Sequence, residues 1–523
     1  MTRNDMLASA FSSSAEWDIC IIGGGATGLG TAVDAASRGF RTMLVEQNDF
    51  AKGTSSRSTK LVHGGVRYLQ QGNIKLVMEA LHERGVLKKN APHLVKNQSF
   101  IVPNYKWWEG PYYGIGLKVY DWMSGRLGLG PSEILSREET LKLAPTLDAD
   151  GLRGGVLYRD GQFDDARLAI NLAQTAADHG AVLINYCQVT GLVKKGENIA
   201  GVRTTDLLGK NDFEIRAKVV ISAAGVFTDF ILKMDEPGAE PLISPSQGVH
   251  IVLDKEFLPG DAAIMVPHTD DGRVLFAVPW HHKIIIGTTD TFVESADFDS
   301  LLEPVALDEE IDFILRQIGR YLTKNPTRSD IRSVFAGLRP LVRGNNKNSA
   351  ELSRDHLISV SDSGLITITG GKWTTYRRMA EDVVNTAIRR FGLENKSCVT
   401  SALPIRGSKN DTDFNKPLYY YGEDEKSITL LTKQDPELAE PIHPDLPYLK
   451  AEVVWAVRNE MAMTVEDALA RRTRALLLDA RAAIAAAPLV AALMARELNR
   501  DEDWVLEQLE EFNRLAKNYL PKK

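Results

Sequence analysis

The sequence has few cysteines, no uninterrupted apolar run of membrane-spanning length and no excess of positive charge. Its 523 residues include three scattered cysteines without C-x-x-C spacing, which fits a reducing compartment and offers no metal site. The longest apolar stretch, residues 476–498, is interrupted by Asp479, Arg481 and Arg496 and by Pro488, so it predicts a pair of helices rather than a membrane span. The net charge of -7 argues against a nucleic-acid surface.

The length of the chain predicts two or three domains, because one hydrophobic core rarely supports so many residues. Residues 1–16 lack the apolar run of a signal peptide and predict a polar, frayed leader. After about residue 405, Ala, Leu, Arg and Glu recur at helical spacing. We therefore expect an all-helical C-terminal domain over residues 405–523.

The most informative segment is residues 17–46, WDICIIGGGATGLGTAVDAASRGFRTMLVE. It predicts an apolar strand, a glycine-rich turn, a helix and a second strand that ends on Glu46. Gly23 permits the tight turn, Gly25 lets the backbone approach a pyrophosphate, and Gly28 lets the helix pack on the strand. The first N–H groups of the helix face the negative charge, and Glu46 is placed to bind a ribose hydroxyl. The segment predicts an adenine dinucleotide site.

Further strands are predicted at residues 181–185 and 217–222, with a hairpin at 191–203 between them. Ala224 and Gly225 follow the last strand and are small enough to let the chain pass close to the dinucleotide. Residues 248–290 contain short β-rich runs that predict an antiparallel sheet in a second domain. Near residue 365 a strand, Gly370-Gly371 and a helical pattern place a second helix N-terminus toward the ligand.

The glycine pattern serves both FAD and NAD, and the remaining sequence favours FAD. A flavoenzyme reduced by NAD(P)H needs two nucleotide sites, and the other Gly-x-Gly, at residues 114–116, follows an aromatic stretch instead of a strand. The late glycine-led helix would stabilise negative charge on a reduced isoalloxazine. We therefore expect FAD that is reduced directly by a small substrate.

Four sequence segments resemble FAD-dependent glycerol-3-phosphate dehydrogenases: IGGGATGLGTAVDAASRG (22–39), TSSRSTKLVHGGVRYLQ (54–70), GLRPL (337–341) and GGKWTTYRRMA (370–380). Residues 460–474 resemble the helical C-terminal domain of that family. The resemblance implies an α/β fold with a discontinuous, Rossmann-like FAD-binding domain of the DAO type, an antiparallel β-rich substrate domain and an all-α C-terminal domain. The ranges that we expect are 17–90, 150–245 and 355–400 for FAD binding, 91–149 and 246–354 for the substrate domain, and 405–523 for the helical domain.

The resemblance also implies oxidation of sn-glycerol 3-phosphate to dihydroxyacetone phosphate, with electrons passing from FADH2 to a quinone. His250 resembles the active-site histidine of the family and is the expected base, although a histidine in a strand is often only a hydrogen-bonded structural residue. Arg339 and Lys372 would polarise the substrate oxygen. Arg67 and Arg354, with Tyr68, would hold the phosphate, although a single arginine often forms only a surface salt bridge.

The polar turn TSSRSTK at residues 54–60 is by composition a solvated loop, and the resemblance makes it a cofactor contact. The residues expected to bind FAD are Gly23, Gly25, Ala26, Thr27, Gly28, Glu46, Thr54, Ser55, Ser56, Ser58, Thr59, Lys60, His63, Gly64, Gly65, Val189, Ala224, Gly225, Gly371, Lys372, Trp373, Thr374 and Thr375.

Residues 104–130 interleave aromatic and cationic side chains: Trp107, Trp108, Tyr112, Tyr113, Tyr120 and Trp122 with Lys106, Lys118 and Arg126. Such a segment is typical of a membrane interface, and equally of a buried contact between domains. The quinone implied by the resemblance favours peripheral attachment on the cytoplasmic side of a membrane.

Three other functions stay open at this point. A glycerol-3-phosphate oxidase would share the same sites and pass its electrons to oxygen. An amine or amino-acid oxidase would need an arginine for the substrate carboxylate but no cluster of cations. A flavin-binding regulator would show no turnover. The sequence leaves the oligomeric state open, including whether the chain forms a homo-oligomer.

Overall fold

The structure is a computed structural model that describes residues 1–12, 16–65, 73–293, 297–343 and 356–522. Its strands are β1 Trp17–Ile22, β2 Thr42–Val45, β3 Leu61–Val62, β4 Lys96–Asn104, β5 Glu133–Ser136, β6 Gly154–Gln162, β7 Val182–Ile184, β8 Cys187–Lys195, β9 Asn198–Asp206, β10 Asn211–Ser222, β11 Ile243–Asp254, β12 Ala263–Val266, β13 Leu275–Trp280, β14 Lys283–Gly287, β15 Thr291–Phe292, β16 Ser333–Val342, β17 His356–Val360 and β18 Ile366–Gly370.

The α-helices are α1 Arg3–Ser12, α2 Ala26–Ser37, α3 Ile74–Asn90, α4 Glu109–Ser124, α5 Arg137–Leu143, α6 Asp165–Asp178, α7 Thr228–Asp235, α8 Phe298–Leu302, α9 Asp308–Gly319, α10 Tyr376–Phe391, α11 Glu425–Gln434, α12 Lys450–Glu460, α13 Ala475–Leu478, α14 Ala480–Leu498 and α15 Glu502–Ala516. A π-helical turn, Asp467–Arg472, lies between α12 and α13.

The first sheet has the strand order β17-β18-β10-β1-β2-β7, with the β8–β9 hairpin attached to β10. Strands β18, β10, β1, β2 and β7 run parallel. The side chains of β1, β2 and β7 are almost entirely buried, as expected where helices cover both faces of a parallel sheet. Because parallel strands end at the same edge, the turns after β1, β2, β10 and β18 come together there. The predicted strands and hairpin of the dinucleotide sheet are confirmed.

The second sheet has the order β15-β11-β14-β13-β12-β4-β6-β3, and β16 pairs with β11. Its described pairings are antiparallel except for β4 with β12, so the predicted antiparallel β-rich unit is confirmed. Strands β3 and β6 belong to this second sheet, although they fall in ranges that we expected to bind FAD. β6 pairs along its whole length with β4, and this pairing places it in the second sheet instead of the FAD-binding range in which the sequence had placed it. The remaining domain boundaries stay a prediction.

The expectation of a frayed leader is wrong for the described part of residues 1–16. Residues 3–12 form α1, and the buried guanidinium of Arg3 donates to Asp206 Oδ1 at 2.6 Å and to the Asn185 carbonyl at 3.0 Å. Met6 packs against the core of the first sheet. One buried ion pair and an apolar contact thus anchor a helix that polar composition alone did not indicate.

The C-terminal region is helical, as predicted, but Pro488 does not break it. Pro488 lies inside α14, and the chain bends at Asp479, whose carboxylate caps α14 by accepting from Ala482 N at 3.0 Å. Buried alanines surround the proline turn and hold it in the helix by packing. In the described ranges, every helix is too short or too polar to cross a membrane.

Candidate active site

A cleft of about 350 Å³ runs along the carboxyl edge of the first sheet, over the glycine turn. Gly23 has a φ of +110°, and a Cβ there would lie 2.6 Å from the Ala223 carbonyl oxygen. A Cβ at Gly28 would lie 1.8 Å from the Gly23 carbonyl oxygen, so only glycine lets α2 approach β1 this closely. Gly25 and Ala26 open α2 and line the cleft. Glycine at positions 23 and 28 therefore allows the close packing that brings the N-terminus of α2 to the cleft.

Glu46 closes one end of this cleft. It follows β2, and its carboxylate accepts from Gly24 N at 2.6 Å and from Asn48 N at 2.8 Å. Burial raises the pKa of this carboxyl. Glu46 therefore fixes the glycine turn as well as facing the cleft, where an acceptor for ribose hydroxyls is required.

Most of the residues predicted to bind FAD line this cleft: Gly23, Gly25, Ala26, Thr27, Glu46, Thr54, Ser55, Val189, Ala224, Gly225, Gly371, Lys372 and Trp373. The segment after β18 reaches it through Gly371, whose φ is +70°, and through a 3-10 turn, Trp373–Thr375, that precedes α10. The Trp373 indole donates to the Ser55 carbonyl at 2.8 Å, which ties this late segment to the polar turn. The glycines, the small residues and Glu46 fit FAD.

The side chains of the polar turn at residues 54–60 lie in two environments, the cleft and the protein interior. Ser55 Oγ accepts from Ala26 N at 2.9 Å at the cleft. Lys60, in contrast, is fully buried, and its Nζ donates to Asp165 Oδ2 and to the Ser56 carbonyl, each at 2.7 Å. The Lys60 amine is thus held by an internal carboxylate and does not line the cleft, and the expected contact of Lys60 with the cofactor stays a prediction.

A second, polar cavity of about 250 Å³ adjoins the cleft and shares Lys372 and Trp373 with it. His250, Arg339 and Lys372 all line this polar cavity, together with Ser58, Thr59, His63 and Thr374. The three residues predicted to be catalytic are brought together from β11, β16 and the turn after β18, which are far apart in sequence.

His250 is buried in the wall of the polar cavity. Its Nε2 lies 2.9 Å from Thr59 Oγ1, and its ring stacks on Phe335 with the centroids 4.8 Å apart. Burial, reinforced by the nearby charges of Lys60 and Arg339, holds the pKa of His250 well below its usual range. The lowered pKa favours the neutral form of the imidazole, which is the form that a general base requires.

Arg339 is held in place by two segments of the second sheet. Its guanidinium donates to the Gln247 carbonyl at 3.3 Å, and to Thr288 Oγ1 and the Thr289 carbonyl at 3.1 Å each. Asp290 Oδ1 lies 3.4 Å from Nη1 and supplies a counter-charge. This fixed cation can stabilise negative charge that develops on a substrate oxygen.

The sequence reasoning missed several residues that position the site. Asp165 accepts from Ser58 and Lys60, and Arg474 of the C-terminal region donates to Asp165 Oδ1 at 3.0 Å and to the Ser56 carbonyl at 2.8 Å. Glu310 on α9 accepts from Thr289 and Gln247, the two residues whose carbonyls hold Arg339. The sequence signal at Asp165 and Glu310 was only that of acids near a helix start, which gives no hint of these partners.

A third, largely apolar cavity of about 500 Å³ begins at the same residues, Thr59, His63 and Arg339. It extends under α4, where its wall includes Phe100, Tyr113, Tyr158, Met265 and Phe276. We call it the apolar cavity.

The aromatic segment around α4 contains both buried and exposed side chains. Tyr113 and Tyr120 are buried against the second sheet and α3. Trp107 and Trp122 are 77% and 83% exposed, and Tyr112 and Ile115 beside them are also exposed. One side of α4 is therefore core, and the other presents an apolar surface.

Three predicted phosphate-binding residues, Arg67, Tyr68 and Arg354, lie outside the described residues. Ser56, Gly64, Gly65 and Thr375 are described, yet they do not line the cleft. Gly64 N donates to the Tyr120 hydroxyl at 2.8 Å, and Gly65 borders the apolar cavity. The roles of all the site residues stay predictions.

The fold and the cleft define an FAD-dependent oxidoreductase. Residues 18–377 match the family of FAD-dependent oxidoreductases, and residues 366–504 match the C-terminal domain of alpha-glycerophosphate oxidase. The mitochondrial glycerol-3-phosphate dehydrogenases of Macaca fascicularis and Homo sapiens are each 41% identical over 95% of this chain and 73% of theirs. A glycerol-3-phosphate dehydrogenase from Bacillus halodurans, solved with FAD, superposes with a TM-score of 0.81 at 30% identity, covering 99% of this chain and 98% of that one. The chain belongs to the glycerol-3-phosphate dehydrogenase family.

Proposed function

We propose that this protein oxidises sn-glycerol 3-phosphate to dihydroxyacetone phosphate. The observation that carries the proposal is the polar cavity, where a neutral buried histidine, an immobilised arginine and Lys372 meet at the edge of the dinucleotide cleft. The names of the relatives supply the substrate. FAD, when bound, provides the hydride acceptor.

The side chains of the polar cavity have different roles in the oxidation of the alcohol. His250 takes the hydroxyl proton, since its imidazole is uncharged and Thr59 fixes the plane of the ring through Nε2. Arg339 and Lys372 stabilise the negative charge that develops on the same oxygen. The phosphate is assigned to Arg67 and Arg354, as the resemblance implies.

We further propose that the electrons leave to a quinone and that α4 contacts a membrane surface on its cytoplasmic side. The exposed apolar side chains beside α4 support this choice, because tryptophan and tyrosine partition into the headgroup region of a bilayer. Direct use of oxygen, as in a glycerol-3-phosphate oxidase, is the second candidate, and peroxide yield separates the two.

The test is anaerobic mixing of the FAD-loaded protein with sn-glycerol 3-phosphate while the flavin absorbance is recorded. We expect bleaching with glycerol 3-phosphate and none with glycerol or an L-amino acid at equal concentration. The Arg339→Ala variant should retain FAD and lose most of the bleaching. Wild-type protein that stays yellow with glycerol 3-phosphate would refute the proposed function.

A further inference from the structure

The imidazole of His250 can exchange a proton with the polar cavity through only one of its ring nitrogens. The residue is 3% exposed, and its ring stacks on Phe335 with 12° between the ring planes. Gly287 lies against Cδ2, where the Cβ of any other residue would collide with the ring. Nδ1 is buried and forms no hydrogen bond with any of the described residues. The imidazole is therefore held in one orientation, and a proton enters or leaves it at Nε2.

The hydroxyl of Thr59 occupies the position in front of Nε2. Thr59 Oγ1 lies 2.9 Å from Nε2, within hydrogen-bond distance. Thr59 lines both the polar cavity and the apolar cavity, and it is only partly buried, whereas His250 is buried. Thr59 is thus the more accessible of the two residues. A substrate hydroxyl in the polar cavity must either bond to Thr59 or displace it from Nε2.

The backbone on both sides of Thr59 is anchored, which opposes its displacement. Ser58 donates from its backbone N at 3.1 Å and from Oγ at 2.7 Å to Asp165 Oδ2. Lys60 donates from Nζ to the same oxygen at 2.7 Å and from its backbone N to Ser58 Oγ at 3.0 Å. Threonine is branched at Cβ, so its own rotation is restricted as well. These contacts hold the Thr59 hydroxyl at Nε2.

We propose that the Thr59 hydroxyl relays the proton of the substrate alcohol to His250. The proposal rests on the proposed function and adds a catalytic residue to it. In the reactive tautomer Nδ1 carries the ring proton, and Nε2 accepts a hydrogen bond from Thr59 Oγ1. The substrate O–H bond breaks as its proton passes to Thr59 Oγ1, and the threonine proton passes to Nε2. The alcohol loses this proton together with the hydride that FAD, when bound, accepts, and so becomes the ketone.

The relay leaves no charge on the threonine, because Oγ1 gives up one proton as it takes up another. Thr59 ends the step as it began, and the imidazole carries the positive charge. The negative charge develops on the substrate oxygen, to which the proposed function assigns Arg339 and Lys372. Arg339 lines both cavities, as Thr59 does, so the two groups can act on one oxygen.

The experiment compares three replacements of Thr59 in the FAD-loaded protein by anaerobic stopped-flow mixing with sn-glycerol 3-phosphate. Thr59→Val keeps the shape of the side chain without its hydroxyl, so the rate constant of bleaching at saturating substrate should fall about 10²-fold or more, with the apparent Kd of the substrate largely unchanged. Thr59→Ser keeps the hydroxyl and should bleach at close to the wild-type rate. Thr59→Ala leaves room for a water molecule that can carry the proton, so its rate constant should lie between those of Val and Ser.

The matched control is Thr140→Val. Thr140 is a buried threonine on α5 whose Oγ1 donates to the Ser136 carbonyl at 2.7 Å, so the same replacement removes a hydrogen-bonded hydroxyl elsewhere in the fold. We expect this variant to bleach like the wild type. The FAD content of each variant is measured from its absorbance before mixing.

The order of the rate constants separates a relay from a residue that only supports the His250 ring. A supporting residue would make Thr59→Val faster than Thr59→Ala, because valine restores the contacts that alanine removes. That order, or a Thr59→Val variant as fast as the wild type, would overturn the proposal. Either result in protein whose wild type bleaches would refute the relay alone. Wild-type protein that stays yellow would instead refute the proposed function, and the relay with it.

Discussion

The carboxylate of Glu310 accepts a hydrogen bond of 2.7 Å from the side-chain amide of Gln247, and the backbone carbonyl of Gln247 accepts one from the Arg339 guanidinium. Its other oxygen accepts from Thr289 Oγ1 at 2.7 Å, and the Thr289 carbonyl also accepts from Arg339. Glu310 thus binds both segments that orient the Arg339 guanidinium, although Glu310 itself does not contact that guanidinium. A buried carboxylate with these partners acts as a positioning residue for Arg339.

Replacing Glu310 by Gln should therefore weaken the site from a distance. The amide would present N–H groups to the donors of Gln247 and Thr289, and a mispaired buried group costs about 1–3 kcal/mol. We expect the KM for glycerol 3-phosphate to rise about tenfold or kcat to fall by a similar factor, with the FAD content unchanged. Steady-state kinetics with a soluble dye measure both. Glu309→Gln, at the exposed neighbouring position, should behave like the wild type; equal kinetics in both variants would contradict the positioning role.

The burial of His250 leads to a prediction about pH. Burial, and then Lys60 and Arg339, lower the pKa of His250, so the imidazole stays neutral as the pH falls through 6.5, where an exposed histidine would be half protonated. The rate constant of flavin bleaching should therefore show no decline between pH 8 and pH 6.5.

His250→Gln should lower the rate constant of flavin bleaching by about 10²- to 10⁴-fold, because general-base catalysis contributes about that much. Stopped-flow absorbance across this pH range tests both expectations, and an acid limb centred at or above pH 6.5 would contradict the first.

Asp165 links the C-terminal region to the polar turn, so we expect its replacement to lower the stability of the protein. Its carboxylate lies between Lys60 and Arg474, and all three side chains are almost fully buried. Asp165→Asn would remove the carboxylate that Lys60 and Arg474 share and leave Arg474 with only Asp164, 3.7 Å away, as a counter-charge, at a cost of up to about 3–5 kcal/mol. We expect a lower thermal unfolding midpoint and weaker retention of FAD.

Asp178→Asn is the matched control for Asp165, because it lies at the other end of the same helix, α6. Its carboxylate is half-exposed and pairs with the partly exposed Arg406, so its loss should cost less than about 1 kcal/mol. Equal unfolding midpoints for the two variants would show that the buried ion network contributes little.

Local sequence rules predicted the parts of the site that local rules govern. The glycine turn, the strands of the parallel sheet and the late Gly370-Gly371 segment depend on spacing and on positive φ, which short stretches encode. Asp165 and Glu310 could not be assigned, because they act on partners 21 to 309 residues away that only the fold brings near. The partner of the Lys60 amine could not be assigned for the same reason, because the carboxylate that accepts from it, Asp165, lies on α6.

The membrane contact is the prediction that the structure sharpens most. Trp107 and Trp122 are 77% and 83% exposed, whereas Trp108 is only 38% exposed and meets Tyr112 edge-on. The double variant Trp107→Ser with Trp122→Ser removes two large amphipathic rings, each of which would bury roughly 150–250 Å². At about 25 cal/mol per Å² of apolar area, even partial insertion predicts a tenfold or greater loss of binding to phospholipid vesicles.

Co-sedimentation with the vesicles measures this binding, with Phe11→Ser and Leu506→Ser as a control pair of exposed apolar residues away from α4. Unchanged sedimentation of the tryptophan variant, or an equal loss in the control, would mean that α4 is not the surface that meets lipid.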